Sequence, residues 1–159
     1  MTRFSKGWTL VISIFLCEGT GILSGFLGNA YNNIWFESLN KPLWNPPREV
    51  FAPVWTTLYL LMAISVWLIL KTPVTRKKKR VPVTIFIIQL VLNFLWSILF
   101  FRFQSPLLAL FDILLMAILI ASAIFSFFSI SKIAAWLLVP YFLWVCFATF
   151  LNFSIWNMN

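Results

Sequence analysis

The sequence predicts an all-α integral membrane protein, a five-helix transmembrane bundle with a long, partly helical first loop, and three observations carry that prediction. Of the 159 residues, 62% are hydrophobic and only 10% charged, with a mean hydropathy of +0.94. So much apolar surface cannot be hidden inside a soluble domain of this length, and lipid must solvate most of it. Second, the apolar residues fall into five runs, Gly7–Gly28, Phe51–Leu70, Pro82–Phe101, Pro106–Phe128 and Ile133–Trp156. Each is near the roughly 20 residues that a helix rising about 1.5 Å per residue needs to cross the hydrocarbon, and about twice the length of a barrel strand. Residues 1–159 therefore read as one membrane domain. Third, the formal charge of +8 is unevenly placed. Arg3, Lys6, Lys71, Arg76, Lys77, Lys78, Lys79, Arg80 and Lys132 share one side, against Lys41, Arg48 and Arg102 on the other. For a bacterial plasma membrane, that bias puts the N-terminus in the cytoplasm and the C-terminus outside.

The first run has a basic flank, as a signal peptide does, but it is too long, carries Glu18 and lacks a small-x-small cleavage site, so it is expected to stay as a helix. It also holds every glycine beyond Gly7 (Gly19, Gly21, Gly25 and Gly28), and the Gly21/Gly25 spacing favours close helix approach, within the bundle or between protomers. The next connection, Asn29–Val50, divides into an amphipathic piece, Tyr31–Leu39, and the segment Lys41–Pro47, whose prolines Pro42, Pro46 and Pro47 deny it regular helix. A stiff flap over one end of the bundle would keep Trp35, Phe36 and Trp44 out of water; interfacial anchoring of those rings is the alternative. The basic run Arg76–Arg80, in a connection of about ten residues, reads as a topology anchor on anionic headgroups rather than a nucleic-acid contact. Connections after the second, third and fourth spans are short, so successive helices are expected to pack as antiparallel neighbours.

Polar groups within spans are few: Glu18, Gln89, Asn93, Asp112 and Asn152. Either they bond to one another and hold the helices in register, or some of them anchor a ligand or line a proton path. Aromatic residues recur at helical spacing: Phe51, Trp55 and Tyr59 in the second span, Gln89, Asn93, Trp96 and Phe100 in the third, and Trp136, Pro140, Trp144, Phe147 and Leu151 in the fifth. Such stripes serve core packing, or line a cavity for a flat hydrophobic ligand. The chain has no histidine, which removes the commonest metal ligand and general base, and it has no Walker A loop, dinucleotide fingerprint or Ser-centred elbow. Cys17 and Cys146, alone in separate spans, make neither a metal site nor a disulfide scaffold.

On these residues the sequence resembles the translocator protein or tryptophan-rich sensory protein family, TspO/MBR, whose animal members were called peripheral benzodiazepine receptors. The resemblance rests on Trp44–Pro47, Phe51–Tyr59, Gln89–Trp96 with Phe100 and Phe101, Asp112, and Trp136–Trp144 leading into Phe147–Asn152. It implies a five-helix bundle, often a homodimer, with a pocket that opens toward the first loop. That pocket would bind porphyrins such as protoporphyrin IX and synthetic isoquinoline carboxamide or benzodiazepine-type ligands, with no cofactor required. Carried over by motif, the ligand-binding residues are Phe51, Ala52, Trp55, Asn93, Trp96, Trp144, Ala148 and Leu151, with Tyr59 added on spacing and Trp44, Pro46 and Pro47 as the lid. Ala148 would leave room for the ligand.

Some bacterial members are similar in accelerating light-dependent porphyrin breakdown, and the resemblance would give that catalytic role to Trp55 and Trp144. Sterol recognition is not expected, because the end of the fifth span, Leu151–Asn159, lacks the tyrosine and cation of the animal motif. A transporter of porphyrin or another amphiphile, and a ligand-responsive regulatory protein, stay open beside the receptor-like reading.

Overall fold

The computed structural model of the chain describes residues 3–31 and 33–159, with side chains from residue 7 on; the side chains of Arg3 and Lys6 and all of Asn32 lie outside the described residues. Among the described residues six α-helices follow one another: α1 (Arg3–Gly28), α2 (Ile34–Ser38), α3 (Arg48–Lys71), α4 (Arg76–Ser97), α5 (Pro106–Phe128) and α6 (Lys132–Met158). All but the five-residue α2 are long and apolar enough to cross a membrane, and the chain is an integral membrane protein. A π-helical segment, Ile98–Arg102, continues α4.

Local chemistry sets the ends of these helices. Asn29 takes a left-handed φ of 57°, and Ala30 N–H reaches back to the Gly25 carbonyl at 2.9 Å, which ends α1 by a Schellman-type turn. Asn33, Ser105 and Ser131 cap α2, α5 and α6, each accepting a backbone N–H through its side-chain oxygen. Pro106 follows its cap at the first helical position of α5, where its missing N–H costs nothing. The basic run Arg76–Arg80 lies inside α4 and not in a loop, leaving only 72–75 between α3 and α4. Lys79 Nζ donates to the Leu70 carbonyl at 2.6 Å, so one cation of that run caps the end of α3.

Around the bundle the contact order is α1, α3, α6, α5, α4 and back to α1. The expected pairing of successive helices holds for α4 with α5 and α5 with α6, but α3 and α4 meet only marginally. The reason is α1, which lies between them and approaches both through glycine. A Cβ at Gly21 would collide with the Tyr59 ring of α3, and one at Gly28 would stand 2.8 Å from the Ser97 carbonyl oxygen of α4. Gly21 and Gly28 thus serve contacts inside the bundle, and Gly25 lies against Tyr31 of the first loop.

Buried apolar residues fill the bundle toward the end bearing Lys71, Arg76–Arg80 and Lys132. There Met62, Ala63 and Ile69 of α3 pack with Phe86 of α4, Ile120, Ala123 and Phe127 of α5, and Ala134, Ala135 and Leu138 of α6. Phe86 stacks on Phe127 with centroids 6.0 Å apart, and the Ser65 hydroxyl donates to the Ala134 carbonyl at 2.7 Å. Alanines opposite rings let the helices close without voids.

Candidate ligand-binding site

Toward the opposite end the helices part. The space between α1, α3, α4 and α6, with α5 contributing Ile113 and Met116, is a cavity of about 570 Å³ under the first loop. That is within the usual size range of small-molecule pockets. Phe51, Ala52, Trp55 and Tyr59 from α3, Asn93 and Trp96 from α4, and Trp144, Ala148 and Leu151 from α6 all line it. Positions about four apart on one helix share a face, so three helices each turn a stripe into the same space. The rings brace one another. Trp55 stacks on Tyr59 at 5.5 Å, Trp96 on Phe100 at 5.1 Å, and Trp144 meets Phe51 edge-on at 6.0 Å. Ala52 and Ala148 are the small residues between these rings.

Trp136, Pro140 and Phe147 of the α6 stripe do not join them. Trp136 is 64% exposed on the outside of the bundle, because residues eight apart drift by about 80° around a straight helix.

The floor of the cavity is a buried polar network. The Tyr59 hydroxyl donates to Asn93 Oδ1, Asn93 Nδ2 donates to the Tyr141 hydroxyl at 3.0 Å, and that hydroxyl donates to Gln89 Oε1 at 2.8 Å. Higher on the wall, Trp96 Nε1 donates to Asn152 Oδ1 at 3.0 Å, and Asn152 Nδ2 to the Pro106 carbonyl at 2.8 Å. The amides Gln89, Asn93 and Asn152 therefore hold α3, α4, α5 and α6 in register, and Asn93 and Asn152 face the cavity as well. Of the two acids within spans, Glu18 lines the cavity, whereas Asp112 is buried away from it with Oδ2 unpartnered. Trp144 Nε1 is also buried without a partner, a polar cost to the fold. Among the described residues no group of three His, Cys, Asp or Glu could hold a metal, and Cys17 and Cys146 are free thiols.

The first loop forms the roof. Asn33 Nδ2 donates to the Phe101 carbonyl at 3.3 Å, while Phe36 packs edge-on against Phe100 and Phe101 at 5.9 and 5.5 Å. Pro46 and Pro47 line the mouth, but Trp44 does not. Its ring lies against Phe147 of α6 at 5.8 Å, half-exposed, and fastens the first loop to α6. Asn40 and Asn159 exchange hydrogen bonds of 2.9 and 3.0 Å, a second tie between the loop and α6.

Several wall residues escaped the sequence reading. Phe101 joins Phe100 because the π segment, closed by a 2.9 Å bond from Phe103 N–H to the Ile98 carbonyl, widens the turn and brings two successive rings to Trp96. No periodicity announces such a turn. Glu18 and Gly21, three apart on α1, were visible as a shared face. Lys41 and Arg48 at the mouth carried no signal beyond charge.

Comparison with known proteins agrees with this architecture. A sequence model of the TspO/MBR family matches residues 13–157. The chain is 40% identical over 153 residues to the tryptophan-rich protein TspO of Chlorobaculum tepidum, covering 94% of this chain and 97% of that one. It is 39% identical over 142 residues to the translocator protein of Bos taurus, covering 86% and 84% of the two chains. With the tryptophan-rich sensory protein of Cereibacter sphaeroides it shares 32% identity over 152 residues, covering 96% and 92%. The chain belongs to the TspO/MBR family.

Proposed function

We propose that this receptor-like membrane protein binds porphyrins, protoporphyrin IX among them, and related planar aromatic ligands in the cavity beneath the first loop. The observation that supports this most strongly is the convergence of aromatic stripes from α3, α4 and α6 on one space that Ala52 and Ala148 keep open. Flat faces of Trp55, Trp96 and Trp144 offer large contact area to a flat ligand at little entropic cost, since rings braced by other rings have few rotamers to lose. The amide groups of Asn93 and Asn152 add polar contacts within an otherwise apolar wall. With the N-terminus cytoplasmic, the cavity opens on the outer face of a bacterial plasma membrane.

Light-dependent breakdown of the bound porphyrin follows as a second activity of the same site. The excited porphyrin and dioxygen supply the oxidant, and the indoles of Trp55 and Trp144 take part in electron transfer or trap the reactive species. Phe in place of each keeps the bulk of the wall and removes the indole. Breakdown that slows in both variants at equal occupancy supports that role, and unaltered breakdown removes it.

Binding is tested by titrating the purified, detergent-solubilised protein with protoporphyrin IX in the dark and following tryptophan quenching. Saturation at one porphyrin per chain is expected. A linear, unsaturable decrease would be that of a dye partitioning into micelles and would contradict the proposal.

A further inference from the structure

The charges that line the cavity are sorted by depth. Lys41 and Arg48 stand at the mouth with one acid, Glu37, whereas Glu18 lies on the α1 wall, ten residues below Gly28, with no cation paired to it among the described residues. Ten residues of helix are about 15 Å of rise. Between the two levels the wall is largely rings and aliphatic groups. A ligand with a carboxylate edge would meet two cations against one acid if that edge faced the mouth, and an acid alone if it faced inward.

The cations at the mouth are held loosely. Arg48 Nη1 is 3.3 Å from Glu37 Oε1 and Nη2 is 3.5 Å from the Ala30 carbonyl, with the Arg48 and Glu37 side chains 44% and 58% exposed. Lys41 Nζ donates to the Glu37 carbonyl at 3.2 Å and sits 4.6 Å from the Phe36 ring centroid. An ion pair so exposed contributes little stability, so exchanging its acid costs little. A carboxylate carried by a ligand already seated among the rings has the advantage of effective concentration over free anions. The planar fork of Arg48 also suits two-point binding of a carboxylate.

We propose that Arg48 and Lys41 form a carboxylate-binding rim that selects planar aromatic acids over their neutral esters, Arg48 exchanging Glu37 for a carboxylate of the ligand. The rim rests on the aromatic-ligand reading above and fixes the ligand's orientation, acidic edge at the mouth and apolar edge toward the network of Tyr59, Asn93 and Tyr141. Glu37 is then a built-in competitor: it holds the mouth together until the ligand's acid replaces it.

The test is a dark titration of the full chain in non-ionic detergent with protoporphyrin IX and, separately, with its dimethyl ester. The intact protein should bind the diacid about tenfold more tightly than the ester. Arg48→Gln should remove most of that preference through the diacid alone, and Lys41→Gln should remove less. Glu37→Gln should tighten the diacid about threefold, since it frees Arg48 at the cost of a weak pair. Ester affinity reports the fold of each variant. Equal binding of the two porphyrins by the intact protein, or a loss in Arg48→Gln that is equal for both, would overturn the rim while leaving the aromatic pocket in place. Failure of both porphyrins to saturate the intact protein would overturn the rim and the pocket together.

Discussion

The two ends of the bundle are built from the same helices and the same kinds of residue, yet one is closed and the other open. At the closed end Phe86 and Phe127 stack face to face, and their neighbours Ala123, Ala134 and Ala135 let α5 and α6 come together. At the lid end Trp55, Trp96 and Trp144 stand on three different helices and hold them apart, and Ala52 and Ala148 face the resulting space. The small residues do opposite work in the two places. Opposite a ring of matching size they complete a core; between rings that brace one another they leave room. Between the two ends lies the Tyr59–Asn93–Tyr141–Gln89 network, which fixes the depth at which packing stops.

This contrast can be broken from either side. Phe127→Ala at the closed end should cost about 3 kcal/mol, the lower part of the range for such truncations, because lipid removes part of the transfer term while the void remains. Thermal unfolding in detergent should show that loss, with porphyrin affinity changed less than twofold. Ala148→Phe at the open end should do the reverse. Overfilling the cavity should weaken porphyrin binding by up to about 100-fold, or 2.8 kcal/mol, with little change in unfolding temperature. If each variant moved both quantities alike, the two ends would not be separate units.

Tyr141→Phe lies at the boundary and should show both effects at reduced size. It strands Gln89 Oε1 and Asn93 Nδ2, which should cost about 1–2 kcal/mol of stability, with a few-fold loss of binding as Asn93 loses its support. The smallest effect is expected at the roof. Asn159→Ala removes the reciprocal bonds to Asn40 and should raise porphyrin association and dissociation rates together by a few-fold, with affinity unchanged. Stopped-flow quenching reads both rates, and a change in affinity without a change in rates would deny the tie a role in access.

Much of this division was legible in the sequence, for physical reasons that also explain the exceptions. Five apolar runs give five spans because backbone groups in lipid must satisfy one another within a helix, and the observed helices overrun those runs by only a few residues at their ends. The wall stripes of α3 and α4 were readable because three- and four-residue spacing keeps Phe51, Trp55 and Tyr59, or Asn93, Trp96 and Phe100, on one face. That rule failed where geometry departs from a straight α-helix or runs too far along one. Trp136 has rotated out to lipid, and Phe101 has been brought in by the π segment. Loop length gave the neighbours correctly for α4 with α5 and α5 with α6 but not for α3 with α4. The four residues between α3 and α4 suggest a hairpin of helices, but the glycine face of α1 separates them, and that separation helps to open the cavity. Trp44, expected in the lid, is tethered to Phe147 and Phe150, a contact across more than a hundred residues that no local pattern encodes.

The central claim is a location, so the most direct measurement is a structure of the protein with protoporphyrin IX bound in the dark. The macrocycle is expected between Trp55, Trp96 and Trp144, below Pro46 and Pro47, with both carboxylates toward the mouth. A porphyrin found instead in the lipid-facing groove between α1 and α4, among Phe15, Leu23, Val91 and Phe94, would contradict it.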